Sequence, residues 1–329
     1  MIFIGKAPYR ISLLGGGSDL DWFVENQGPG YCIGYSLDQF SYSVLHALPT
    51  SAMGGVLNYS SREFYHSIDT IVHPLIRSAF ESVSLDSFVE LSSYGFASGG
   101  SGLGGSSSFL LSLLAALYEY KSMKVQNSFL AKLASDIEIH SLNKPIGRQD
   151  QYFSALGGLN VLEFRSAGAV STITLSQQKK DILLRLIDNL YLVPSSITRS
   201  ADKVLQSFRS DPSAMNQFCE LRNIAKAFID SAETRDAELE TAFHQAVSDS
   251  WTIKKSMSNV MDDQLNSQCN LISTLPINWI RLIGAGAGGY FLVSPKDSSD
   301  QFLASMRDLG FSSVFKAQLT QNGVSACTI

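Results

Sequence analysis

Residues 99–117 read GGSGLGGSSSFLLSLLAAL. Five glycines and four serines run straight into an apolar segment. Such a stretch can be a flexible linker, the lead into a membrane span, or a loop built to hold phosphate. Glycine is costly in chain entropy unless the backbone must approach something closely. A helix beginning near Ser106 would turn its positive dipole end and its unpaired N–H groups toward an anion in the loop Gly100, Gly102, Leu103, Gly104, Gly105. Ser106, Ser107 and Ser108 add hydroxyl donors, or oxygen ligands for a hard cation such as Mg²⁺.

The other readings meet obstacles. A bilayer span needs about 20 apolar residues, whereas Ser112 divides the run at Phe109–Leu111 and Leu113–Tyr118. Gly100, Gly102 and Gly105 match the GxGxxG dinucleotide pattern, but they do not follow a first strand. Where an acidic ribose ligand is expected, the chain reads Lys121-Ser122-Met123-Lys124. No lysine follows the glycines as a Walker loop requires.

Two more glycine clusters frame the chain. Gly15-Gly16-Gly17-Ser18-Asp19 follows the strand-like Arg10–Leu14, and Gly284–Gly289 separates Arg281–Ile283 from Tyr290–Val293. Either one alone reads as a tight hairpin. Three clusters, each ending an apolar strand, suggest loops converging on one ligand.

With 329 residues, 45% of them hydrophobic and 17% charged, the chain can bury a large core and is not disordered. A net charge of −5 gives no footprint for nucleic acid. Cysteines 32, 219, 269 and 327 form no CxxC pair and are expected as reduced thiols. The opening MIFIGKAPYRIS lacks the apolar core of a signal peptide. A cytoplasmic protein without membrane partners is therefore expected.

The pattern reads as α+β. Strand-like runs at Ile2–Ile4, Tyr9–Leu14, Phe40–Ala47 and Ser87–Ser92 precede helices near Ser106–Tyr118 and Asn127–His140, the second with Asn127 as N-cap. Gly157–Phe164 and Ala169–Leu175 read as an antiparallel pair. Residues 198–262 hold two or three amphipathic helices, and strands at Trp279–Ile283, Tyr290–Val293 and Ser313–Leu319 follow, with a helix near Asp300–Leu309. The division into 1–185 and 186–329 lies where the character changes.

Candidate chemistry lies between the clusters. Asp150, in Gly147-Arg148-Gln149-Asp150-Gln151-Tyr152, is a candidate general base, Arg10 a candidate cation, and Glu138 a candidate to share Mg²⁺ with Ser106. Each also has an ordinary structural explanation, as a loop-capping aspartate or a surface ion pair. The histidines 46, 66, 73, 140 and 244 show no metal spacing, and no nucleophile elbow is present.

The three clusters in this order resemble the motifs of the GHMP small-molecule kinases: Ala7–Leu20, Gly102–Ser108 and Ile283–Tyr290. Within that superfamily the chain is most similar to the bacterial kinases of D-glycero-D-manno-heptose 7-phosphate. Arg10–Leu20, Gly147–Tyr152 with Gly157-Gly158, His73–Arg77, Thr198–Ala201 and Trp251–Lys255 carry that likeness. The resemblance implies an N-terminal domain like ribosomal S5 domain 2, a ferredoxin-like C-terminal domain, and an active site between them.

It further implies an ATP- and Mg²⁺-dependent kinase acting on the anomeric oxygen of a sugar or sugar phosphate, as a monomer or homodimer. Asp150 would be the base, Arg10 would stabilise the transferring phosphoryl group, and Ser106 and Glu138 would hold Mg²⁺. The loop from Gly100 through Ser108 would wrap ATP. Gly16, Gly17, Ser18, Asp19, Arg148, Gly286, Ala287 and Gly288 would contact the acceptor. A phosphorylated acceptor would need cations, with Lys144, Arg148, Arg199, Lys254 and Lys255 as candidates.

Arg148 and Arg281 stand where such kinases carry lysine, and Gly105 stands where they carry serine. These changes bear on the acceptor, since arginine and lysine differ at an anion site. Fucose or galactose kinases, and a non-catalytic sugar and nucleotide sensor, are the alternative functions. Presence of both Asp150 and Arg10 speaks against a sensor.

Overall fold

A computed structural model describes residues 1–48, 54–97, 100–197 and 201–329. In chain order the elements are β1 (Ile2–Leu14), α1 (Asp21–Gln27), β2 (Gly30–Ala47), β3 (Gly55–Asn58), β4 (Arg62–Tyr65), α2 (Pro74–Ser82), β5 (Val89–Gly95), α3 (Gly105–Tyr120), α4 (Asn127–Asp136), α5 (Gln149–Leu156), β6 (Leu159–Arg165) and β7 (Ala169–Ile173). Then come α6 (Gln177–Ile187), β8 (Tyr191–Pro194), α7 (Ala201–Ser210), α8 (Ala214–Asp230), α9 (Asp236–Ser256), α10 (Asp263–Ile272), β9 (Ile277–Leu282), β10 (Tyr290–Pro295), α11 (Ser299–Asp308), β11 (Phe315–Lys316) and β12 (Ser325–Thr328).

The first sheet is organised by β2. Ile33–His46 of β2 pairs antiparallel with β1, while its other edge takes β6 at Gly30–Tyr35 and β5 at Ser41–Ala47. Strands β3 and β4 extend the sheet beyond β5, and β7 extends it beyond β6. The two strand runs expected in residues 2–14 are one strand, continuous through Pro8. A register shift between Pro8 and Tyr9 absorbs the residue that cannot donate to the ladder.

Helix α3 lies on this sheet as a wholly buried rod from Leu110 to Tyr118. It sits close because Gly5 of β1 has no side chain: a Cβ there would stand 1.8 Å from the Ser112 carbonyl oxygen. Ser112 and Ser43 hydroxyls meet at 2.8 Å on the same face. The helix that was a possible membrane segment is thus the core of the first layer, and no helix among the described residues is long and apolar enough to cross a membrane.

The second sheet has the order β11-β8-β10-β9, all antiparallel. That order, with helices between β8 and β9 and between β10 and β11, is ferredoxin-like. Helices α7 to α10 form one long insertion after β8. The α+β architecture with two sheets agrees with expectation. Two topological details were not expected. The last strand, β12, returns to pair with β1, and the ends are tied by reciprocal hydrogen bonds between Ile2 and Ile329.

Local corrections follow from capping and helix geometry. Gln126, not Asn127, occupies the N-cap of α4; the Asn127 amide instead donates to the Ala155 carbonyl at 2.9 Å. The expected helix to His140 changes to a π turn at Ile137–Ser141, which carries Glu138. Asp150 lies in the first turn of α5 rather than in a loop.

Candidate functional site

A cavity of about 280 Å³ opens where the glycine clusters meet. The first cluster contributes Gly16, Gly17 and Asp19; the second contributes Gly100, Ser101, Gly102, Gly104, Gly105 and Ser106; the third contributes Gly284 and Ala285. Arg10, Lys144, Gln149, Asp150, Lys254 and Arg281 also reach it.

The second cluster ends in the α3 N-terminus. Gly104 is its N-cap, in the left-handed region at φ 75°, and no side chain among the described residues caps the helix. First-turn N–H groups of a 16-residue helix therefore face the cavity without protein partners from a cap. This is the arrangement in which a backbone holds phosphate.

Arg10 and Asp150 meet side-on beside that loop. Arg10 Nε donates to Asp150 Oδ1 at 2.7 Å and Nη2 to Oδ2 at 2.6 Å, while Nη1 donates to the Gly102 carbonyl. The guanidinium is buried and the carboxylate half-buried. Such a fork sets the orientation of both groups. It also ties β1, α5 and the second glycine loop at one point.

Glu138 is fully buried beneath the loop. Its Oε1 accepts from Ser106 Oγ at 2.9 Å and from Lys144 Nζ at 2.8 Å; its Oε2 accepts from Ser107 Oγ at 2.7 Å and Gln151 Nε2 at 2.6 Å. Ser106 is exposed to the cavity. A serine hydroxyl beside a carboxylate oxygen is a hard-oxygen pair suited to Mg²⁺, which takes one or two protein ligands and leaves the rest to phosphate and water. That the carboxylate already attracts an ammonium marks the spot as cation-seeking. The residues present fit the ion.

Asp19 lines the same cavity at the N-terminus of α5. It accepts from the Gln149 N–H at 3.0 Å, from Gln149 Nε2 at 2.9 Å and from the Gly17 N–H at 3.1 Å. Burial pushes its carboxyl up to about 6, opposed by those N–H donors and aided by the Asp150 charge. Gly147 must be glycine here, because a Cβ would stand 1.9 Å from Asp19 Oδ2.

Several expected site residues are placed otherwise. Arg148 does not line the cavity. Its guanidinium, 3% exposed, donates twice to Asp21 and once to Asp136, and Nη2 lies 3.1 Å from His140 Nε2. As N-cap of α5 it leaves the helix on the opposite side from Asp150. Ser18 is turned inward, donating to the Gly15 and Tyr31 carbonyls. Leu103 is core, and its carbonyl accepts from the Arg10 N–H. Ser108 donates to the Pro8 carbonyl, and Ser107 reaches only Glu138.

Gly286, Ala287 and Gly288 also lie off the cavity. The Ala287 N–H donates to the Val260 carbonyl at 2.7 Å, and Gly286 and Gly288 abut Val260 and Ile197. Only the start of the third cluster reaches the ligand space. Lys255 faces a separate groove with Trp251 and Asn270. Gly99 and Thr198, Arg199 and Ser200 lie outside the described residues.

Sequence reasoning passed over Ser12, Gln149 and the apolar wall made by Leu205, Phe208, Phe218 and Leu221, and Gln151, which donates to Glu138. The two glutamines lay in the segment already singled out for Asp150. The wall left no signal beyond amphipathic periodicity in α7 and α8. Phe218 packs over Gly17, where a Cβ would stand 2.3 Å from its ring.

Residues 75–158 match the family model described as the GHMP kinases N terminal domain. Over 98% of both chains, the sequence is 26% identical to a D-glycero-alpha-D-manno-heptose 7-phosphate kinase of Campylobacter jejuni. Among solved structures, a D-glycero-D-manno-heptose 1-phosphate kinase from Bacteroides thetaiotaomicron superposes with a TM-score of 0.77 at 18% identity, covering 100% of this chain and 99% of that one. Lactococcus lactis galactokinase in complex with galactose superposes at 0.71 with 14% identity, covering 100% of this chain and 95% of that one. The structural likenesses establish the fold.

Proposed function

We propose, from the match of residues 75–158 to the GHMP kinases N terminal domain, that the chain is a phosphotransferase of this type that moves the γ-phosphoryl group of ATP to a sugar hydroxyl, with the anomeric oxygen of D-glycero-D-manno-heptose 7-phosphate as acceptor. The observation that carries this reading is the Arg10–Asp150 fork at the mouth of an uncapped helix. A sensor needs an anion loop but no carboxylate held against it.

The α3 N-terminus and the loop Gly100–Ser106 receive the nucleotide phosphates. Asp150 accepts the proton of the acceptor hydroxyl as the oxygen attacks. An anomeric hydroxyl is more acidic than an ordinary alcohol, so one carboxylate suffices. Arg10 holds Asp150 by two bonds and presents positive charge to the transferring group. Asp19, oriented by Gln149 and Gly17, accepts from sugar hydroxyls. Mg²⁺ held by Ser106 and Glu138 would neutralise charge on the phosphate oxygens.

Transfer of the γ-phosphoryl group, followed as ADP formed against heptose 7-phosphate, free heptose, fucose and galactose, tests the reading. The highest kcat/KM is expected with heptose 7-phosphate. Binding of ATP with transfer to none of the sugars would favour the sensor instead.

A further inference from the structure

Two cations of the cavity are not in direct contact with a carboxylate among the described residues. Lys254, in the last turn of α9, and Arg281, in β9, both line it. Neither makes an ion pair among the described residues. Lys254 Nζ donates to the Gly284 carbonyl, and Arg281 Nη1 donates to the Leu13 carbonyl. A carbonyl dipole is weak compensation for a buried charge. Arg281 is 4% exposed, and its Nε has no hydrogen-bond partner among the described residues.

Other buried polar atoms of the same cavity are also unmatched. Ser12 Oγ and Gln149 Oε1 have no hydrogen-bond partner among the described residues. Both lie around Gly16: a Cβ on that residue would be 3.3 Å from Ser12 Oγ and 3.8 Å from Gln149 Oε1. Orphaned buried groups of this kind ask for an explanation. Their chemistry is mixed. Arg281 Nε and the Ser12 hydroxyl can donate to an anion, whereas Gln149 Oε1 can accept from a hydroxyl. A ligand with both an anionic group and hydroxyls would satisfy all three.

We propose that Lys254 and Arg281 form a seat for a second anionic group of the acceptor, a phosphate ester remote from the hydroxyl that is phosphorylated. The proposal rests on the kinase reading above and names the part of the substrate that these residues recognise. The anchor point favours the acceptor over the nucleotide as the source of the anion. Arg281 is held to Leu13, at the root of the first glycine cluster and beside Ser12, whereas the nucleotide side has the α3 N-terminus, Ser106 and Lys144.

Electrostatics agrees with the geometry. Burial, together with the neighbouring Arg281 and Arg10 charges, pushes the Lys254 ammonium well below its usual range, and burial lowers Arg281 to about 10. Asp150 and Asp19 face Lys254 as well and pull the other way. Like charges held together in a desolvated place are stabilised by an arriving anion.

The test compares wild type with Lys254→Met, Arg281→Met and the charge-retaining Lys254→Arg. KM is measured for heptose 7-phosphate, for the same heptose without phosphate, and for ATP. The melting temperature is followed with inorganic phosphate while Mg·ADP fills the nucleotide side. Lys254→Met is expected to raise KM for the phosphorylated sugar about 100-fold, with the other two constants within about threefold. Lys254→Arg should recover most of that loss.

Phosphate should raise the wild-type melting temperature and leave that of Lys254→Met unmoved. An equal rise in KM for both sugars, or a rise confined to ATP, would overturn the seat. Transfer to heptose 7-phosphate with unchanged KM in both Met variants sinks the seat and leaves the kinase reading standing. Phosphate protection lost in the variants, with no sugar phosphorylated by wild type, sinks the kinase reading and leaves the anion seat standing.

Discussion

Gly102 and Gly284 touch backbone to backbone: a Cβ on Gly284 would stand 2.5 Å from the Gly102 Cα. The two loops belong to different sheets, so this contact sets how the second and third glycine clusters meet. Both glycines have positive φ, 77° and 76°. An alanine at Gly284 would suffer left-handed strain and a clash with main chain that cannot swing aside. Gly284→Ala should cost about 2–4 kcal/mol in a urea titration and raise KM for ATP. An unchanged midpoint would mean that the loops are not locked together.

Asp150→Asn keeps the shape of the side chain but removes the proposed base and half of the fork with Arg10. We expect kcat to fall about 10²–10⁴-fold, with the dissociation constant for ATP little changed by calorimetry. Wild-type-like turnover would end the role assigned to Asp150.

Asp19 gives a pH signature. Its folded pKa is about 6 and its unfolded value 3.8, so the native state binds more protons between these limits. Stability should therefore fall as pH rises from about 4 to about 6 and level off above. Asp19→Asn should lose that slope in chemical denaturation followed across the same range. In the acceptor role proposed for Asp19 the ionised carboxylate receives the sugar hydroxyls, so kcat/KM for the sugar should drop toward tenfold per pH unit below about 6. A flat profile through this window would contradict the acceptor role.

Arg148→Met separates structure from recognition. Asp21 and Asp136 are only about a third exposed and would lose their buried partner. The expected loss is about 3 kcal/mol, read as a lowered urea midpoint. At a temperature where the variant stays folded, KM for the acceptor should match wild type. A selective rise in that KM would return Arg148 to the substrate.

The glycine loops were legible because their chemistry is local. A run that is costly in entropy and precedes an apolar helix announces close backbone approach, and Gly104 and Gly102 do adopt positive φ. Arg10, Asp150 and Glu138 could be named but not joined, since the fork and the hydroxyl pair come only from β1, α5 and the π turn packing together. Arg148 misled for the opposite reason: two residues from Asp150 in sequence, it leaves α5 on another side. The pairing of β12 with β1 had no signal, because a short polar strand at the far end of the chain has no pattern that names its partner. Lys254 was one of five candidate cations until the fold brought it beside Arg281.

The hydrogen bonds between Ile2 and Ile329 carry a consequence for how the molecule can be cut and rejoined. Its two halves are not beads on a string: the second sheet is looped out of the first, and the chain comes home to β1. A break between α6 and β8 would strip β12 from its edge position and leave neither fragment whole. A short linker joining the ends, with new termini opened in the exposed turn between α8 and α9, would instead preserve every strand pairing. The β1–β12 pairing is the contact that any cut elsewhere in the chain must preserve.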